Sequence, residues 1–137
     1  MMITLSSCLE FKDLPCRIAG KIDTNSFNEK ALAQNVLKKA ELKSMSLANA
    51  YSIMAAHEAL QDAKWSPRSE QESFRAGTSI ATGIAGIAEI ADAALALSNN
   101  VKGYKAISPY FVPKILANLS SGLISIKYKL KVKNIFV

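Results

Sequence analysis

The side chains best suited to nucleophilic or metal chemistry are Cys8, Cys16 and His57, the two cysteines and one histidine of this 137-residue chain. The cysteines lack C-x-x-C spacing, and one histidine cannot complete a zinc ligand set, so no metal is expected. Two thiols with no framework fit a reducing compartment. His57 falls between Ile53 and Leu60 on the apolar face of a helical pattern, which suits a core-edge histidine hydrogen-bonded to a neighbour. A catalytic histidine needs an oriented partner, and Glu58 points elsewhere on the same helix.

Backbone chemistry offers one further candidate. Thr82-Gly83-Ile84-Ala85-Gly86 lies between an apolar run and a helix, where free N–H groups can hold phosphate. The full G-x-G-x-x-G fingerprint is absent, however, so a dinucleotide-binding half is a minor reading. No cofactor is expected.

These residues have to be placed by a chain that is half apolar and one fifth charged, a globular composition with a net charge of +6. That charge suits an acidic partner, whether nucleic acid, anionic lipid or protein. The uncharged runs 76–88 and 115–126 fall short of the ~20 residues that span a bilayer. The first twenty residues show neither the basic start of a secretory signal nor the arginine content of a transit peptide.

In order, Cys16–Ile22 alternates loosely and is a weak strand, while Met1–Phe11 carries no clear pattern. Glu29–Leu42 reads as a surface helix with Leu32, Val36 and Leu37 inward and its lysines in solvent. Ser46 caps a helix over Leu47–Lys64 whose Ala50, Ile53, His57, Leu60 and Ala63 share a face. Pro67 stops it, and 66–73 is a polar linker. Ala76–Ala81 is the convincing strand, turning at Gly83 and Gly86 into a helix over Ile84–Ser98. Ile87, Ile90, Ala91, Ala94 and Leu97, widened by Ile84, Ala88 and Leu95, leave Glu89, Asp92, Ala93 and Ala96 for solvent. So narrow a polar side predicts a helix buried on most of its surface. A second apolar helix follows Pro113 and runs to Tyr128, with Ile115, Leu119, Gly122 and Ile126 on one face. Its row Ala117, Ser121 and Ser125 would admit a close backbone. Lys127–Lys133 alternates lysine with apolar residues, as an exposed edge strand would.

The run Lys102-Gly103-Tyr104, Ser108-Pro109-Tyr110-Phe111-Val112-Pro113-Lys114-Ile115-Leu116-Ala117-Asn118 and Ser125 to Lys131 resembles the β-ketoacyl-acyl-carrier-protein synthases, the mitochondrial type above all. Asp13-Leu14-Pro15-Cys16 and Lys43-Ser44-Met45-Ser46 add to the match, which covers about Phe11–Lys131. The resemblance implies an acyltransferase of fatty-acid synthesis, with a layered α/β thiolase-like fold working as a homodimer. It also implies acyl carrier protein and fatty acyl and malonyl thioesters as partners, and a mitochondrial location in place of the default cytoplasm. Ile107 and Phe111 match positions that line the family's acyl-chain pocket. For Lys127–Lys133 the family pattern implies a helix end and a turn instead of a strand.

The family's nucleophilic cysteine and its two histidines have no counterparts here: His57 matches neither histidine, and Cys8 and Cys16 lie outside the nucleophile's motif. After Lys131 the family continues with Gly-Pro-Asn, whereas this chain has Val132-Lys133-Asn134-Ile135-Phe136-Val137. Independently, two strands are too few to cover two such apolar helices. The expectation is therefore an α/β fold of which this chain is one partial N-terminal domain, 1–137, with a divergent tail at 132–137. Such a piece should be inactive alone. The contrasting expectation is a non-catalytic basic module that binds an acidic partner such as acyl carrier protein.

Overall fold

The computed structural model describes residues 2–4, 15, 18–20, 22–80, 82–98 and 103–132. It is mostly helical. The weak strand forms: β2, Ile18–Gly20, pairs antiparallel with β1, Met2–Thr4, with Ile3 opposite Ala19. The convincing one does not. Residues 76–80 are non-helical and extended, with one isolated bridge at Ser79. Side-chain chemistry on the last helix helps to hold them, since Thr78 Oγ1 donates to the Ser121 carbonyl at 3.1 Å and also meets Ser121 Oγ at 2.6 Å.

The expected helix over 29–42 is two. α1 (Thr24–Ala33) begins earlier, because the Asp23 carboxylate accepts from the Asn25 N–H at 3.1 Å. It stops where Asn35 takes a left-handed φ of 54°. Val36 and Leu37 then turn into the core before α2 (Lys39–Ser44), where the Lys38 N–H donates to Glu41. α3 (Leu47–Asp62) is capped as expected, the Asn49 N–H donating to Ser46 Oγ at 3.3 Å. Its end comes before Pro67 can act: Lys64 adopts φ 49° and its N–H reaches the Gln61 carbonyl. The polar linker holds a single turn, α4 (Glu70–Ser73), capped by Ser69.

The core gathers Ala31, Val36, Leu37, Ala50, Ile53, Met54, Ile124 and Leu130, which joins α1 and α3 to α7 (Leu119–Tyr128). Inside it the Ser120 hydroxyl donates to Asn49 Oδ1 at 2.6 Å. The helix expected from Pro113 to Tyr128 is broken at 116–118 into α6 (Phe111–Ile115) and α7. α7 buries Ser120, Ser121 and Ile124, while Ile126 is 78% exposed, so its inward face is rotated from the expected one. Within the small-residue row, Ala117 is exposed, but Ser121 is buried and takes a close backbone, its hydroxyl donating to the Thr78 carbonyl at 3.4 Å. Ser125 donates to the Leu130 carbonyl.

After Tyr128 the chain turns through Lys129 in the left-handed region, φ 57°. The edge-strand expectation fails over 127–132, and the family's helix end and turn is what forms. Lys131 N–H then donates to the Ser73 carbonyl at 2.8 Å and Val132 N–H to the Ala76 carbonyl at 3.1 Å.

α5 (Ile87–Ser98) departs most from expectation. None of its residues is buried; Ile87 is 63% and Leu95 61% exposed. Its half-covered residues are Glu89, Ala93 and Ala96, on the side expected to face water. That side packs on α6 and on the 3-10 turn Gly103–Ala106. Among the described residues no layer lies over the apolar stripe.

Candidate functional site

The cavity of about 210 Å³ between α5 and the segment from Ile107 to Lys114 is built from two short periodic runs. Glu89, Asp92 and Ala93 stand one turn apart on α5 and so share its inner face. Ile107, Ser108, Phe111 and Lys114 supply the opposite wall. Ser108 starts the turn into α6. Its carbonyl accepts from the Phe111 N–H at 2.9 Å and its hydroxyl from the Tyr110 N–H at 3.2 Å. Pro113, within the first turn of α6, needs no N–H partner there.

Two contacts hold α6 on α5. Gly86 has φ +62°, and a Cβ there would lie 2.6 Å from the Lys114 carbonyl oxygen. Only a glycine permits both that backbone and that approach. At the Gly86 end of the turn the space is therefore filled by the chain itself, whereas a Cβ on Gly83 would meet nothing within 4 Å. The second contact is the Lys114 ammonium, 4.0 Å from the Glu89 carboxylate, with side chains 20% and 25% exposed.

Both residues expected at an acyl pocket, Ile107 and Phe111, thus line one cavity. Ile107, Phe111 and Ala93 make its apolar wall, and Glu89, Asp92 and Lys114 its charged one. Sequence reasoning had placed Glu89 and Asp92 in solvent and gave Lys114 no role. The available signal was their spacing: Glu89 and Asp92, three residues apart, are the polar strip of an otherwise apolar helix.

His57 lies elsewhere. Its Nδ1 is 3.1 Å from the Tyr128 hydroxyl and the two rings stack, 6.3 Å between centroids, which ties α3 to α7. Burial pushes the Tyr128 phenol up. Glu58 pairs with Lys30, whose hydrogen bond and charge hold that carboxyl below its ordinary range. The histidine therefore has a hydrogen-bonded structural place and, among the described residues, no carboxylate bonded to it. Cys8 and Cys16 lie outside the described residues. Among the described residues, no group of three or more His, Cys, Asp or Glu is placed to hold a metal, and no helix is long and apolar enough to cross a membrane.

Residues 4–137 match the family profile described as the β-ketoacyl synthase N-terminal domain. Over 89 residues, 64% of this chain, the sequence is 45% identical to a mitochondrial 3-oxoacyl-acyl-carrier-protein synthase of Arabidopsis thaliana. Over 126 residues, 91% of the chain, it is 35% identical to 3-oxoacyl-acyl-carrier-protein synthase 2 of Rhizobium meliloti. The matched stretches span 19% and 30% of those two relatives.

Proposed function

Since the chain belongs to the β-ketoacyl synthase N-terminal domain family, we propose that it is the N-terminal part of a β-ketoacyl-acyl-carrier-protein synthase. Such an enzyme condenses malonyl-carrier protein with an acyl thioester. The observation that carries the reading is the juxtaposition of Ile107 and Phe111 in one cavity, on a segment matching the family's acyl-pocket positions. An apolar wall of that kind suits a fatty acyl chain.

The exposed stripe of α5 supports a partial layered α/β fold. Ile84, Ile87, Ile90, Leu95 and Leu97 are all exposed large apolar residues on or beside one helix, an arrangement that soluble monomers avoid in bulk. In this proposal the rest of the sheet and its helices cover them. Residues 1–137 are then one partial domain, and 132–137 depart from the family's continuation. Acyl carrier protein and acyl and malonyl thioesters are the proposed partners of the whole enzyme, with a homodimer as its assembly. A mitochondrial location is proposed for it, supported by the name of the Arabidopsis relative.

The chain itself carries no counterpart of the nucleophilic cysteine or of the two histidines, and covalent catalysis needs an activated nucleophile. Incubated with acyl and malonyl carrier protein, it should form no β-ketoacyl product. Adding the separately produced remainder of the Arabidopsis relative should restore product formation. Product from the chain alone, or a remainder equally active without it, would overturn the proposal.

A further inference from the structure

We propose that the Glu89–Lys114 pair, with Asp92 beside it, limits how long an acyl chain this cavity accepts, which makes these residues specificity determinants. The inference rests on the acyl-pocket reading of Ile107 and Phe111. It begins with size: at about 210 Å³ the cavity holds roughly seven groups as large as a water molecule. That is room for a short acyl chain.

The cleft is about half open, so a longer chain must either leave it or run along its charged wall, and that wall resists. Glu89 and Lys114 are each about three-quarters covered and sit 4.0 Å apart. A methylene pushed against them strips water from two ions without replacing its hydrogen bonds. The Lys114 carbonyl lies against Gly86, which fixes the backbone from which the side chain reaches Glu89. Two carboxylates against one ammonium also leave the wall with an excess of negative charge.

The test titrates the dilute full chain with two uncharged-headed probes, hexanoyl-pantetheine and dodecanoyl-pantetheine, and follows the Ile107 methyl signal by NMR. In an open apolar groove each further buried methylene would tighten binding about four-fold. The wild-type chain should instead bind the dodecanoyl probe no tighter than the hexanoyl one. The double variant Glu89→Gln/Lys114→Met, which keeps size and removes both charges, should bind the longer probe about ten-fold tighter and leave the shorter within about two-fold. Should the double variant lose its cooperative melt, Glu89→Gln alone carries the test, with a smaller gain in the same direction. Ile107 shifts whose chain-length dependence is the same in wild type and variants would overturn this inference and leave the acyl pocket standing. No Ile107 shift with either probe, in any variant, would overturn the acyl pocket and this inference with it.

Discussion

At the scale of single residues, Ile107 is proposed for an acyl pocket from its sequence context. It directly precedes Ser108-Pro109, and the turn that Ser108 starts brings Ile107 and Phe111 to one wall. In a full-length relative carrying the same motif, Ile107→Phe should shorten the accepted acyl chain. Overfilling a packed pocket costs roughly 1–3 kcal/mol, so long primers should lose about five- to a hundred-fold in kcat/KM. Short primers should be nearly unaffected; equal losses for both would make Ile107 merely structural. The opposite wall was harder to read. Glu89 and Asp92 look like helix-dipole partners at an N-terminal half, and only the neighbouring Lys114 gives them another role.

Other residues set the pH response. Lys131 holds the Glu70 carboxyl below its ordinary range through a 2.7 Å hydrogen bond, and the same ammonium lies 4.7 Å from the centre of the Phe74 ring. A depressed carboxyl contributes stability above its unfolded value and loses it as pH falls through the folded one. Tyr128 has the opposite sign. Its raised phenol leaves stability intact below the unfolded value and erodes it as pH climbs through the folded one. Glu70→Gln should therefore flatten the acid limb of a melting-temperature profile, and Tyr128→Phe the alkaline limb. Unchanged limbs in both variants would show that neither contact persists in solution.

Among the elements, α3 was the most legible and α5 the least. The Ser46 cap and the Ala50–Ile53 face are local signals, and both appear. Met54 joined the core unannounced because two layers, α1 and α7, pack on α3 from different sides. The strand expected at 76–81 required neighbours to pair with, and apolar content alone could not say whether they were present. For α5 the apolar stripe was read correctly, but the inference from stripe to burial assumes a cover. Ile53→Ala should cost about 2–5 kcal/mol, since Ile53 is 2% exposed in the α1–α3–α7 core. Gly86→Ala should act on the pocket instead. With a left-handed φ and a carbonyl 2.6 Å from its new Cβ, it must push α6 away from α5. Methyl or amide shifts confined to 86–114 would bear this out, and an unperturbed Phe111 would contradict it.

At the scale of the whole molecule the chain divides into a packed part and an uncovered one. α1, α3 and α7 share a core; α5 and α6 hold a cavity between them yet present Ile87, Leu95 and Val112 outward. The shortage of strands relative to apolar helices was visible in the sequence, although which helix would be left bare was not. The packed part should be the more stable, and the uncovered part should bind a hydrophobic dye strongly. A monodisperse monomer that melts cooperatively and binds no dye would mean that nothing further is needed over α5.

The most direct test of that division is hydrogen exchange on the full chain, alone and mixed with the separately produced remainder of the Arabidopsis relative. Exchange across Ile87–Ser98 should be fast in the chain alone and strongly slowed in the mixture. Leu47–Asp62 should be protected in both samples. Equal protection of Ile87–Ser98 with and without the remainder would contradict the claim that this chain is one part of a larger layered synthase.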